Sequence, residues 1–151
     1  MTGREFAPGI YVAPQIALEM LPALREAGVT LLVCNRPDGE DRGQPSAART
    51  AAAAAAAGIA FLHLPVAALH DITRRQQLEE LARALAANSG HALAYCRSGA
   101  RSAALLAARE VAIDGEPVER ALARVKAAGY DMPALKPLLQ TLAAKAGCAR
   151  D

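Results

Sequence analysis

Aromatic side chains are scarce in this 151-residue sequence, which has three tyrosines, two phenylalanines and no tryptophan. Stacking single-stranded nucleic acid needs an aromatic platform, and five rings are too few to build one. The same shortage argues against an all-β sandwich, whose strands draw on β-branched and aromatic residues. Charge of one sign is also lacking. The net charge is +2, and no Lys/Arg block is dense enough to form a nucleic-acid patch. No run reaches the ~18–20 apolar residues of a membrane span, and the first residues carry no signal-peptide apolar stretch. Three widely spaced cysteines make neither a disulfide framework nor a zinc pattern. His63, His70 and His91 are scattered away from acidic clusters, so no metal site and no cofactor is expected. The expected location is a reducing cytoplasm.

Alanine is abundant: 38 residues, with an unbroken run from Ala51 to Ala57. It has the highest intrinsic helix propensity, so helices should dominate. The length suits one domain with its own hydrophobic core. That domain is expected over residues 8–146, with 1–7 and 147–151 as flexible termini.

Along the chain, strands alternate with helices. An extended piece at 10–12 precedes a helix over 17–27, stopped by Gly28. A strand at 30–33 leads through a polar turn to a helix between Ser46 and Gly58, then to a strand at 60–64. Thr73 with Gln76 reads as a capping box opening a helix that carries Leu78, Leu81 and Leu85 on one face. A short apolar strand at 91–95 precedes helices over 102–113, 118–128 and 134–146. Strands separated by helices pair in parallel through right-handed crossovers. The expected fold class is α/β: a single domain with a small, mostly parallel sheet flanked by helices.

The chemistry lies in Tyr95-Cys96-Arg97-Ser98-Gly99-Ala100-Arg101-Ser102. This stretch leaves a buried strand and opens a helix, at the sheet edge where open α/β folds bind ligands. Successive N–H groups of such a loop form an anion nest, and the helix N-terminus adds positive potential. Gly99 allows a backbone conformation closed to other residues. Arg101 supplies a fixed charge and a fork of donors suited to oxyanions. A cysteine there is expected to be a thiolate at neutral pH and a nucleophile toward the bound anion.

Cys-Arg-Ser-Gly-Ala-Arg-Ser resembles the active loop of rhodanese-type sulfurtransferases, in which four residues separate cysteine from arginine. Protein tyrosine phosphatases have five, after a His-Cys pair, and Tyr95 stands where their histidine would. From about Pro8 to Leu139 the chain resembles the phosphatase-like domain of beta-lactamase hydrolase-like proteins. The resemblance rests on Asn35-Arg36-Pro37-Asp38-Gly39-Glu40, Gly43-Gln44-Pro45-Ser46, His63-Leu64-Pro65-Val66, the loop itself and Ala128-Gly129-Tyr130-Asp131. It implies a fold like the dual-specificity phosphatases, in a family described both as phosphatases and as sulfur transferases.

The short spacer favours sulfur transfer through a Cys96 persulfide, with a small anionic donor such as thiosulfate or glutathione persulfide and a thiol or cyanide acceptor. Catalysis falls to Cys96 and Arg101. Anion binding falls to Arg97, Ser98, Gly99, Ala100 and Ser102, with Arg36 as a further candidate. Ser102 could donate to the Cys96 thiolate or cap the helix, and Arg36 could line the pocket or pair with Asp38. A cysteine-dependent phosphatase is the alternative. It needs a proton donor for the leaving oxygen, for which Asp71 is the available if weak candidate. A non-catalytic module sensing anions or persulfides is a third reading. Cys34 is expected to be a buried hydrophobe rather than a resolving thiol, and Cys148 incidental.

Overall fold

The computed structural model describes residues 3–150. Five strands run β1 (Arg4–Ala7), β2 (Ile10–Ala13), β3 (Val29–Cys34), β4 (Ala60–His63) and β5 (His91–Tyr95). Six helices follow or separate them: α1 (Leu21–Glu26), α2 (Ala47–Ala56), α3 (Arg75–Ala87), α4 (Ala100–Ala112), α5 (Val118–Ala127) and α6 (Leu135–Arg150). The sheet order is β1-β2-β5-β3-β4, with every pair parallel except the β1–β2 hairpin.

Strand alternation divides the interior in two. Leu31, Val33, Ala92 and Ala94 face the larger core under α3 to α6, while Leu32, Cys34, Leu93 and Tyr95 face α1 and α2. Helix α4 is buried along almost its whole length, and Ala103, Ala104, Ala107 and Ala108 are its small contact residues. Their size lets a central helix sit close to the sheet with other helices around it, and this accounts for much of the alanine.

Three local expectations are corrected. Residues 4–7 are not a loose terminus but edge strand β1, anchored by Phe6, which is 4% exposed; residues 1, 2 and 151 lie outside the described residues. The helix expected from residue 17 begins as a single 3-10 turn at Leu18–Met20, and the α-helix starts only at Leu21, just ahead of Pro22. Thr73 makes no capping box. Its hydroxyl donates to the His70 carbonyl at 2.8 Å, closing a 3-10 turn, and α3 begins after Arg74. By contrast, α2 opens after Ser46 as expected, and the Ser46 Oγ caps it by accepting the Arg49 N–H at 3.1 Å.

Candidate active site

β5 sits between β2 and β3, so the segments leaving the carboxyl ends of β2, β3 and β4 converge on the loop that follows Tyr95. Cys96 lies at its base, fully buried, with its N–H directed at the Ala13 carbonyl of β2 at 3.4 Å. Gln15 N–H holds the Arg97 carbonyl at 3.3 Å. Gly99 caps α4 at φ +97°, the left-handed region that only glycine enters freely. That conformation turns the Gly99 N–H back onto Cys96 Sγ at 3.1 Å.

The first bond of the α4 ladder runs from Ala103 N–H to the Gly99 carbonyl at 3.0 Å. The Ala100 N–H is taken by Ser98 Oγ at 3.3 Å. The N–H groups of Arg97, Ser98, Arg101 and Ser102 have no partner among the described residues. They stand unpaired where the loop enters the N-terminus of α4, and unpaired donors at a helix N-terminus are the arrangement that binds anions.

Arg101 completes it. Its Nη1 donates to Glu40 Oε2 at 2.7 Å and to the Val66 carbonyl at 2.6 Å, and Nη2 donates to Glu40 Oε1 at 3.0 Å. Of the five guanidinium hydrogens, this leaves the one on Nε and one on Nη2. They lie on one edge of the planar fork and suit a two-oxygen grip on an anion.

Glu40 is in turn held by Arg36, whose Nε donates to Oε1 at 2.9 Å. Arg36 does not line the pocket, nor does it pair with Asp38. It is 2% exposed and also donates to Asp41 at 2.7 Å and Gln15 at 2.9 Å. A buried guanidinium needs such partners, so Arg36 serves as the anchor of the Glu40–Arg101 clamp rather than as an anion ligand. Asp38 instead accepts the Ala47 N–H at 2.8 Å, at the start of α2.

Hydrogen bonds from Arg101 come first, and from Arg36 next, in drawing the Glu40 carboxyl down to about 2 against the opposing effect of burial. A lowered folded-state value adds stability above the unfolded value near 4.5, and that stability is lost as pH falls toward 2. The side chain is 25% exposed, so solvent screening keeps the contribution to roughly 2 kcal/mol, below what the full shift would convert to. Glu40→Gln should therefore lower the urea midpoint at pH 6–7 and merge with the parent protein near pH 2. A constant gap across that range would contradict the clamp.

Ser102 Oγ donates to Asn35 Oδ1 at 2.7 Å, not to Cys96. Asn35, also fully buried, donates from Nδ2 to the Leu64 carbonyl at 2.9 Å and from its N–H to the Tyr95 carbonyl at 2.9 Å. Ser102 and Asn35 thus tie the loop to the ends of β5 and β4. Arg97 and Ser98 are at the rim. The Arg97 side chain is 71% exposed, with Nε 3.6 Å from the Asp41 carboxylate.

Asp71 is not placed as a proton donor. Its carboxylate accepts the N–H groups of Ala67 at 3.2 Å and Ala68 at 3.0 Å, and Arg74 at 3.0 Å. The Ala68 N–H above all, then the charges of Arg74 and His70, hold it below the usual carboxylate range although burial works the other way. Its role is to shape the segment whose Val66 carbonyl meets Arg101.

Cys34 is buried on the Tyr95 side of the sheet, and its thiol is pushed up by burial. Burial also pushes the Tyr95 phenol well up, with Cys34 and Thr50 as hydrogen-bonding neighbours. Cys34 and Cys96 are both free, and strand alternation separates Cys34 from the loop. The Cys148 side chain lies outside what is described. Among the described residues no three His, Cys, Asp or Glu side chains gather as a metal site. No described helix is long and apolar enough to cross a membrane.

Sequence reasoning did not assign roles to Glu40, Asn35, Gln15 or Tyr130. The signal for three of them was present, since Asn35, Glu40 and Tyr130 all fall in the stretches that carried the family resemblance. Tyr130 donates to the Ser98 carbonyl of the loop at 3.0 Å.

The family model for the phosphatase-like domain of beta-lactamase hydrolase-like protein matches residues 3–112. The chain belongs to this family. A beta-lactamase hydrolase-like protein of Xylella fastidiosa strain Temecula1 is 39% identical over 88 residues, 58% of this chain and 20% of the relative. One from Agrobacterium fabrum is 30% identical over 104 residues, 69% of this chain and 23% of the relative. The chain therefore spans about a fifth of the length of these curated relatives.

Among solved structures, a candidate phosphatase from Neisseria meningitidis Z2491 superposes with a TM-score of 0.79 at 28% identity, covering 94% of this chain and 99% of that one. Human DUSP28 gives a TM-score of 0.66 at 24% identity, covering 98% and 99%. PTPMT1 gives 0.70 at 15%, covering 97% of each. The last two likenesses are of fold alone, and that fold is the one seen in dual-specificity phosphatases.

Proposed function

We propose that the protein is a cysteine-dependent phosphatase that acts on monoesters with good leaving groups. The carrying observation is the Arg101 fork, held by Glu40 and Val66 with two hydrogens to spare, above a cysteine that accepts the Gly99 N–H. Family and fold support the phosphatase reading over the sulfurtransferase expected from the spacer.

Cys96 Sγ attacks phosphorus as the bond to the ester oxygen breaks, and the leaving group departs with that electron pair. Water then attacks the phosphocysteine, the S–P bond breaks, and inorganic phosphate and the thiolate are released. Arg101 and the free loop N–H groups stabilise charge on the equatorial oxygens. Glu40 and Asp71 are both held ionised at neutral pH, so neither supplies a proton to the departing oxygen.

The expected kinetics follow from that shortage. p-Nitrophenyl phosphate should be hydrolysed readily, and kcat/KM should fall steeply across a series of phenyl phosphates as the leaving phenol becomes less acidic. A flat series would mean that an unassigned acid protonates the leaving group.

One observation favours a second reading: only four residues separate Cys96 from Arg101, which shortens the ring of donors around a tetrahedral phosphoryl group. In sulfur transfer, Cys96 attacks the outer sulfur of thiosulfate, the S–S bond breaks, and sulfite leaves with its electrons. A thiol acceptor then takes the sulfur from the persulfide. Sulfite release and one added sulfur on Cys96, without hydrolysis of any aryl phosphate, would replace the phosphatase reading with this one.

A further inference from the structure

Tyr130 and Cys96 hold opposite ends of one peptide group. Helix α5 ends in a Schellman turn, with Gly129 N–H donating to the Lys126 carbonyl at 2.9 Å and Tyr130 N–H to the Val125 carbonyl at 3.2 Å. Gly129 holds φ +100°, and Arg4 of β1 packs against it so closely that a Cβ there would lie 2.6 Å from Nη1. The turn delivers the tyrosine to the loop. Its hydroxyl donates to the Ser98 carbonyl and occupies the space that a Cβ on Gly99 would need.

The Ser98 carbonyl and the Gly99 N–H belong to a single trans peptide, so they point in opposite directions. The carbonyl end is held by Tyr130 at 3.0 Å, and the N–H end reaches Cys96 Sγ at 3.1 Å. Fixing one end aims the other, and hydrogen bonds in series polarise one another. We infer that Tyr130 is a positioning residue for the nucleophile: its hydroxyl orients and polarises the Ser98–Gly99 peptide, so that the Gly99 N–H stabilises the Cys96 thiolate. This rests on Cys96 being the nucleophile, whichever centre it attacks.

The titratable and charged groups bearing on Cys96 are Arg101 from α4 and Tyr130 from the α5–α6 turn, with Glu40 behind the first and Arg4 behind the second. Burial foremost, and the neighbouring Cys96, push the Tyr130 phenol up, so it stays a donor through the neutral range.

Tyr130→Phe keeps the ring and loses the hydroxyl. Labelling of the Cys96 peptide by iodoacetamide, followed by mass spectrometry, should slow ~3–10-fold at pH 7, the effect of losing about one hydrogen bond. The rate–pH profile should move to higher pH while the thermal midpoint stays near that of the parent. A parental rate and profile in this variant overturn the inference, as does a parental Cys96 that resists iodoacetamide at every pH. Site-specific 3-fluorotyrosine at position 130 is a stronger donor of the same shape and should accelerate labelling at pH 7. An unchanged or slower rate overturns the inference even if the phenylalanine variant does not fold. Labelling needs no turnover. A protein inert toward aryl phosphate can still show the Tyr130 effect, and a flat labelling result leaves aryl phosphate hydrolysis untouched.

Discussion

Cys96→Ser should abolish hydrolysis of p-nitrophenyl phosphate, by at least ~10³-fold, with the protein still folded. The serine hydroxyl is nearly the size of the thiol and can accept the same Gly99 N–H at the same buried position. What it lacks is acidity. No side chain described at the loop base is a free base that could take its proton. Glu40 is committed to two arginines, and Ser102 to Asn35. The alcohol therefore stays protonated where a thiolate would attack. Calorimetry alongside the assay separates lost chemistry from lost fold, the expected stability change being within ~1–2 kcal/mol for a single buried-atom swap. Retained hydrolysis would remove Cys96 as the nucleophile, and with it both covalent mechanisms.

The loop was legible because its chemistry is local. Cysteine, glycine and arginine lie within six residues, between an apolar strand and a helix start, and each has its own physical reason to be there. Its support is not local. Glu40 reaches Arg101 across 61 positions, Asn35 reaches Ser102 across 67, and Tyr130 reaches Ser98 across 32. No periodicity reports such pairings; they exist because β5 is inserted between β2 and β3, which brings distant turns to one edge.

Asp71 and Arg36 show the converse. Both are charged residues on turns after strands, but residue type and position cannot reveal whether a charge is free or already bound by neighbouring groups: Arg36 is taken by Glu40, Asp41 and Gln15, and Asp71 by Ala67, Ala68 and Arg74. Strand β1 escaped for a simpler reason: with only Phe6 of its four residues buried, it has no alternation to read. The central strands have apolar runs and α2 an alanine run between Ser46 and Gly58, signals that are local and legible.

Arg101→Lys should lower kcat/KM for aryl phosphate by ~10²–10³-fold, because charge is conserved but the fork is not. The native guanidinium serves two masters at once. One edge is spent on Glu40 and the Val66 carbonyl, while Nε and the second Nη2 hydrogen remain for substrate. An ammonium presents all three of its hydrogens from a single atom and cannot span both. Beside the Glu40 carboxylate, which Arg36 still holds, the lysine should remain with Glu40 and leave the bound anion short of a cation. Adding Glu40→Gln to the lysine variant removes that competitor. The double variant should therefore be more active than Arg101→Lys alone, although Glu40→Gln in the parent should reduce activity by loosening the arginine. This reversal of sign is a coupling that a double-mutant cycle on kcat/KM measures directly. Additive effects would mean that Glu40 supports the loop without directing Arg101, and the two spare hydrogens would then lose their claim to be the anion grip.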